Sequence, residues 1–508
     1  MTSAVFLNHR RRLGLFSVLS FAAASALLLS LSADVVGANG ERFLALLYLG
    51  QMALLVLQLV LGRSWLSMLA PDQPQWLQPP MLITAWVLLF FGVPGFVSLV
   101  RPELLDSLER FTVDPVYTVR GTWLIVVGCF MLWLGYGTTY RTWKTPSFAQ
   151  QLGKAPISPS VVMGLFVVLL ILQAVEILVV GIAYGANWAR WGALASFRQW
   201  VGYLKDFSYV ALALVALNVF GGLWPRWMLA LIVGPLLGLA FVSGFMKPMF
   251  WIVLLLWTAA LFARVNPRYL ALFATVFVFL GLLVVPVAEG LRARADIGLL
   301  DPTDPTALAS TTAETIATLW TNGDKGAWLF AFDRTLYRNA IVAATPGIIL
   351  EKTPSFIPYQ GMDKFLAIPA YVIPRALWPD KPVLSRGNWF AIMYLNQPEF
   401  VPSSAAITVF GEGYMYAGWL GVVLACFILG VQLAWVYRWT ASAQLWAIYL
   451  ALIPTFIDAE AQFTGMFVAS VQRTVVFLAV YALLAWLTVP KGVGQRLRSP
   501  WIRPSATT

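Results

Sequence analysis

An all-α polytopic membrane protein is the fold class this sequence predicts, with about twelve transmembrane helices and one large loop domain on the non-cytoplasmic side. Three observations carry that expectation. The 508 residues are 60% hydrophobic and only 11% charged, a balance outside the range of soluble globular chains. Apolar runs of about 20 residues, the length of a bilayer-spanning helix, recur along the chain. The lysines and arginines between those runs sort onto alternate connections, as the positive-inside rule requires.

The spans read as residues 13–33, 43–61, 81–100, 122–140, 159–182, 207–223, 227–243, 249–263, 270–289, 415–437, 443–457 and 467–489. The run from Leu13 to Leu31 follows Arg10, Arg11 and Arg12 and is too long for a signal-peptide core, so it reads as the first span. Arg63, Arg141, Lys144, Lys154, Arg226, Arg264, Arg268, Arg438, Lys491, Arg496, Arg498 and Arg503 then fall on the side of Arg10–Arg12, opposed there by Asp72 alone. The alternate connections mix signs, as in Glu103, Asp106, Arg110 and Asp114. Both termini are therefore expected in the cytoplasm. Four regions follow: an N-terminal bundle (1–289), an external loop domain (290–413), C-terminal helices (414–490) and a cytoplasmic tail (491–508).

The loop domain breaks the rhythm of short connections, and long connections in compact proteins are usually functional. Residues 311–344 read as helix interrupted at Asn322-Gly323-Asp324; 351–386, with six prolines, read as extended and turn structure; 388–395 read as a short interfacial helix.

Composition also excludes chemistry. The only histidine is His9, in the basic N-terminal flank, so no histidine base, triad or His-based zinc site is available on the far side. Cys129 and Cys426 each lie in an apolar run, which argues against a disulfide framework or thiolate metal site. The net charge of +11 sits in membrane flanks, so nucleic acid is not an expected partner.

The candidate residues lie in and beside the loop. Ile373-Pro374-Arg375-Ala376-Leu377-Trp378-Pro379-Asp380-Lys381-Pro382 holds two cations and an indole in a frame stiffened by three prolines. Arg375 can grip phosphate oxygens with two parallel N–H bonds, and Lys381 adds a point charge. A structural bend would explain the prolines but not the cations. Arg334 and Arg338, beside Asp333, share a helix face and repel unless an anion lies between them; a solvated face is the bland alternative. Arg292 and Arg294 follow Glu289 at the loop's entrance and suit either snorkelling or a phosphate contact. Phe410-Gly411-Glu412-Gly413-Tyr414 places a carboxylate between glycines at the membrane surface, where an acidic helix-start residue is equally natural. Inside the spans, Gln173, Glu176 and Arg473 stand out; charges there are usually paired or functional, and Glu176 with Arg473 is one pair the sequence offers, in either a structural or a lipid-facing role. Asp458 and Glu460 read as solvated at the outer mouth.

At these residues the chain resembles the bacterial oligosaccharide repeat-unit polymerases, the O-antigen polymerase-like (Wzy-like) proteins. The likeness rests on the helix with Arg334 and Arg338, the Gly-led segment from Gly361, the Pro374-Arg375 to Lys381-Pro382 element, and Phe410-Gly411-Glu412-Gly413-Tyr414 with Gly418 and Gly421. The resemblance implies a GT-C-like membrane glycosyltransferase of the bacterial inner membrane that polymerises undecaprenyl-diphosphate-linked repeat units on the periplasmic side. On that view Arg375 and Lys381, helped by Arg334, Arg338, Arg292 and Arg294, hold the diphosphate and stabilise its departure. Glu412 is the candidate base, and Trp378 and Tyr414 position substrate. No Asp-x-Asp metal site is present, so a cofactor-free, metal-independent reaction is expected. The expected partners are the lipid-linked glycan, the bilayer and a polysaccharide chain-length regulator. A polysaccharide ligase using the same donor, a lipid-linked oligosaccharide flippase and a structural subunit of a synthesis complex are the competing classes.

Overall fold

The computed structural model describes residues 40–69, 73–100, 115–155, 157–178, 198–243, 246–265, 268, 271–276, 287, 291, 305–321, 325–373, 377–378, 387–399, 405–458 and 460–488. Among the described residues all regular structure is helical. The helices are α1 (Glu41–Leu69), α2 (Pro79–Val100), α3 (Pro115–Thr142), α4 (Ser147–Leu152), α5 (Pro159–Leu178), α6 (Arg198–Phe220), α7 (Trp227–Val242), α8 (Met246–Phe262), α9 (Pro305–Thr321), α10 (Lys325–Lys352), α11 (Met362–Leu366), α12 (Gly387–Leu395), α13 (Val409–Thr440), α14 (Trp446–Ile457) and α15 (Phe463–Thr488).

Seven of these, α1, α2, α3, α5, α6, α13 and α15, are long and apolar enough to cross a bilayer, so the chain is a membrane protein. α7, α8 and α14 are equally apolar but shorter. Together they overlie the predicted spans from 43–61 to 249–263 and the last three. The predicted span at 13–33, and most of that at 270–289, lie outside the described residues.

Lipid tails are as apolar as leucine, so helices associate through close backbone approach and polar contacts. α3 forms the centre on both counts. Gln51 and Gln58 of α1 donate to the carbonyls of Val119 and Val126, at 2.9 and 3.0 Å. Gly128 faces Cys426, and Gly430 lies against the Tyr136 amide, where an added Cβ would come to 2.8 Å. Arg438 donates to the Tyr140 carbonyl at 2.6 Å, with its guanidinium 3.6 Å from that ring's centre. Numbers rise together along each pair, so α1, α3 and α13 run parallel. α5 and α6 are antiparallel, joined by the Glu176–Lys205 ion pair and by Gln173 donating to Ser208 at 3.0 Å. These senses match the alternation of spans.

The expected Glu176–Arg473 pair does not form. Glu176 pairs with Lys205, and Arg473 pairs with Asp206 at 2.7 Å and donates to Thr455 at 2.7 Å. The reason is a helix boundary. α6 begins at Arg198 rather than near 207, which brings Lys205 and Asp206 into the bundle as nearer partners.

α13 is not a continuous rod. Ala417 (φ −155°, ψ 35°) and Gly418 (φ 61°, ψ −143°) leave the helical region. A Cβ on Gly413 would lie 3.0 Å from the Gly421 carbonyl oxygen, and one on Gly421 would collide with that of Gly413. Residues eight apart in one helix are about 12 Å apart along its axis, so the chain must double back at the break. Phe410 and Cys426 both meet Gly128, which confirms the reversal. α13 is thus a hairpin: a short first limb, 409–416, folded against a second limb, 419–440, that is itself about 33 Å long and able to span.

The segment between the two helix groups shares their core. Val342, Ala343 and Ile349 of α10, with Phe365, Ile368, Phe390 and Tyr394, are buried with the spanning helices. The predicted break at 322–324 falls between α9 and α10, outside the described residues. α12 coincides with the predicted 388–395 helix. Residues 351–386, expected to be extended and turn structure, include α11 and a 3-10 turn at Ile368–Val372.

Candidate functional site

The hairpin apex is where the loop's Gly-led segment meets the bundle. The break at Ala417–Gly418 leaves the carbonyls at the end of the first limb without helical partners. The loop supplies them: the Gln360 amide donates to the Met415 carbonyl at 2.9 Å and the Gly361 amide to that of Tyr416 at 3.2 Å. Gly361 does so at φ 93°, a conformation few side chains tolerate. Phe365 then stacks on Phe463 and meets Tyr416 edge-on, each with ring centres 5.8 Å apart. Tyr414, buried, lies between Tyr359 at 6.1 Å and Trp419 at 6.2 Å. Residues 359–373 form a strap across the hairpin.

Beneath the strap lies Glu412. Thr408 caps the first limb by accepting from the Gly411 amide at 3.0 Å, and Glu412 follows in the first turn. Its carboxylate is not at the surface; the residue is 3% exposed. It accepts from the Thr464 amide (2.7 Å), the Thr464 hydroxyl (2.7 Å) and the Tyr416 hydroxyl (2.9 Å). Thr464 is in the first turn of α15, so the carboxylate also meets the positive end of that helix. The hairpin geometry explains the burial: the chain reverses above Glu412 and folds it against α15.

Asp458 and Glu460, expected to be solvated, are instead paired. Lys247 at the start of α8 contacts Asp458 at 3.1 Å and Glu460 at 3.3 Å. The Glu460 carbonyl accepts from the Thr408 amide at 3.3 Å, which sets this ion cluster beside the hairpin's entry. Thr408 has φ 68°, an outlier for a β-branched residue, sustained by that bond and its own cap. Lys247 was missed because Met246-Lys247-Pro248 reads as a bare connection between two apolar runs.

On the outer flank Lys352 donates to the Tyr394 carbonyl at 2.8 Å, and Thr353 and Tyr394 share a 2.6 Å hydroxyl contact. Burial raises the Tyr394 phenol above its usual pKa, against the opposite pull of Thr353. Trp378 is partly exposed. Arg375, Lys381, Arg292 and Arg294 lie outside the described residues, as does Asp380. Arg334 and Arg338 fall on α10, described there as backbone. Among the described residues no three His, Cys, Asp or Glu side chains converge as a metal site would need.

Residues 168–451 match a family described as a domain of unknown function, DUF8712. No curated protein and no solved structure matches the chain.

Proposed function

The chain belongs to the DUF8712 family, whose match runs from α5 through the strap and the hairpin into α14; from its own residues we propose that it is a membrane glycosyltransferase that polymerises lipid-diphosphate-linked oligosaccharide repeat units. The observation that supports this most is the strap. Its Gln360 and Gly361 amides hold the Met415 and Tyr416 carbonyls and Tyr359 packs edge-on against Tyr414, so two of the sequence elements behind the Wzy-like resemblance meet at one end of the spanning helices.

The reaction needs three things there. A diphosphate on a polyprenyl carrier must be held beside the bilayer; Arg375 and Lys381, which follow the strap, are assigned to it, with Arg334, Arg338, Arg292 and Arg294 as further cations. The hydroxyl of an acceptor sugar attacks the anomeric carbon, the bond to the diphosphate oxygen breaks, and fixed cations stabilise the charge that develops on the leaving group. The hydroxyl's proton passes to a carboxylate that sugar can reach. Glu412 is sealed in, whereas the Asp458 side chain is 26% exposed. We therefore assign the proton to the Asp458–Glu460 pair and give Glu412 an architectural role.

In this reading twelve spans sit in a bacterial inner membrane in a GT-C-like arrangement, with both termini cytoplasmic and residues 290–413 periplasmic. The supports are the Lys/Arg asymmetry and the matching senses of the helix pairs.

The test is Arg375→Lys, which keeps the charge but removes the two-donor fork. Polymer formation from purified lipid-linked repeat units should fall at least tenfold with the protein still inserted and folded, and single repeat units should accumulate on their carrier in cells. Wild-type polymer yield from this variant would refute the assignment. Accumulation of finished, unattached polymer on removal of the protein would identify a ligase instead.

A further inference from the structure

The strap, and Leu377 and Trp378 a few residues beyond it, carry large apolar side chains that the bundle does not cover. Leu366 is 71% exposed, Ile373 45% and Leu377 78%, with Trp378 beside them. On the inner side of the same stretch Phe365 and Ile368 are buried in the core. One face of the strap is therefore seated on the spanning helices; the other carries these apolar side chains from Leu366 onward, with the exposed charges Asp363 and Lys364 confined to its first turn. Such clusters mark an interaction surface.

The depth of the strap says what covers that surface. Gln472 of α15 donates to the Val372 carbonyl at 2.7 Å and accepts from the Tyr203 hydroxyl of α6 at 2.7 Å. Gln472 lies about 13 Å along α15 from Phe463 at 1.5 Å per residue. Its neighbour Arg473 meets Asp206, in the third turn of α6, and Thr455, in the last turn of α14. α15 is one of the bilayer-crossing helices, about 39 Å long against an apolar slab of about 30 Å. Val372 is thus level with the apolar part of α15 rather than above its end.

The backbone chemistry agrees. At that depth every N–H and C=O needs a partner inside the protein. The strap provides them with short helical turns: Ala367 donates to Asp363 (3.1 Å), Ala370 to Ala367 (3.0 Å) and Ile373 to Ala370 (3.1 Å). Pro369 has no N–H to satisfy. The Val372 carbonyl, at the end of the last turn, is taken by the buried Gln472 amide. An aqueous loop has no need of a buried side chain to satisfy its last carbonyl. A bilayer-embedded one does.

We propose that residues 365–373, with Leu377 and Trp378, form a re-entrant element whose exposed face lies in the bilayer against lipid acyl chains, the charges of Asp363 and Lys364 standing at its rim. The proposal goes beyond the glycosyltransferase reading and does not depend on it.

The test uses the full-length protein in phosphatidylcholine liposomes. Leu366→Cys and Leu377→Cys are each labelled with an environment-sensitive NBD probe; the native Cys129 and Cys426 are buried and leave little background. Nitroxide-bearing lipids report acyl contact and iodide reports water, with free NBD-cysteine as the aqueous reference and a label at Val168, exposed on spanning helix α5, as the lipid reference. Both sites should match Val168→Cys in nitroxide quenching and show several-fold less iodide quenching than free NBD-cysteine. Iodide quenching near that of the free probe at either site overturns the proposal. Activity plays no part in the readout, so loss of the glycosyltransferase reading would leave this result standing.

Discussion

Glu412 and Thr464 allow the hairpin latch to be measured. The perturbations are Glu412→Gln, Thr464→Val and the double variant. In the wild type the carboxylate takes three hydrogen bonds, from the Thr464 amide and hydroxyl at 2.7 Å each and the Tyr416 hydroxyl at 2.9 Å. Hydrogen bonds to charged groups contribute about 1.5–3 kcal/mol and neutral ones about 0.5–1.5 kcal/mol. Glutamine can keep its oxygen on the Thr464 amide and turn its NH₂ to the two hydroxyls, which can accept. It then loses about 1 kcal/mol of charge assistance per bond, roughly 3 kcal/mol in all. Thr464→Val removes the hydroxyl and keeps the amide bond, so the two changes share one bond and should be non-additive by about 1 kcal/mol. Unfolding in mixed dodecyl sulfate micelles, followed by tryptophan fluorescence, reads all four corners of the cycle. Additivity within about 0.3–0.5 kcal/mol, the range of independent sites, would refute the latch.

Two further outcomes follow from geometry. Gly421→Ala drives a Cβ into the Gly413 carbonyl, and as an overpacked contact it should lose about 1–3 kcal/mol in the same titration, whereas Gly238→Ala, with nothing within 4 Å, should be neutral or slightly stabilising; equal behaviour of the two would remove the hairpin. For orientation, a maleimide that cannot cross membranes should label Phe356→Cys but not Phe148→Cys in intact spheroplasts, both positions being exposed; the reverse pattern would invert the proposed topology.

The spans were legible because an apolar run of the right length has few alternatives. Their pairings were not. Glu176 and Arg473 stood out as charges inside runs, but Lys205 and Asp206 sat just outside the hydropathy window of their own helix and went unweighed. Hydropathy was also blind to the break at Ala417–Gly418, since the run from Val409 to Thr440 is apolar on both sides of it. That blindness misplaced Glu412. Its sequence neighbours suggested an open helix start, while its spatial neighbours, Tyr416 and Thr464, are brought to it by a reversal that composition does not register. The strap shows the same limit. The prolines of 351–386 signalled a chain that leaves regular structure, but not the short helical segments at Met362–Leu366 and Ile368–Val372 by which the strap seats on the bundle.

The paired glutamines of α1 reach further than their two hydrogen bonds. In water a slipped helix exposes its apolar stripe and is corrected; in lipid, sliding or turning a leucine-rich helix meets almost no resistance. Gln51 and Gln58 are one heptad apart, and so are the carbonyls they reach, Val119 and Val126. One such contact would act as a pivot. Two at matched spacing act as a key in a keyway, fixing height and rotation together. The alignment of α1 on α3 is thus held independently of α13, which makes its own close approach through Gly128 against Cys426, Gly135 against the Phe427 carbonyl and Gly430 against Leu132 and Tyr136.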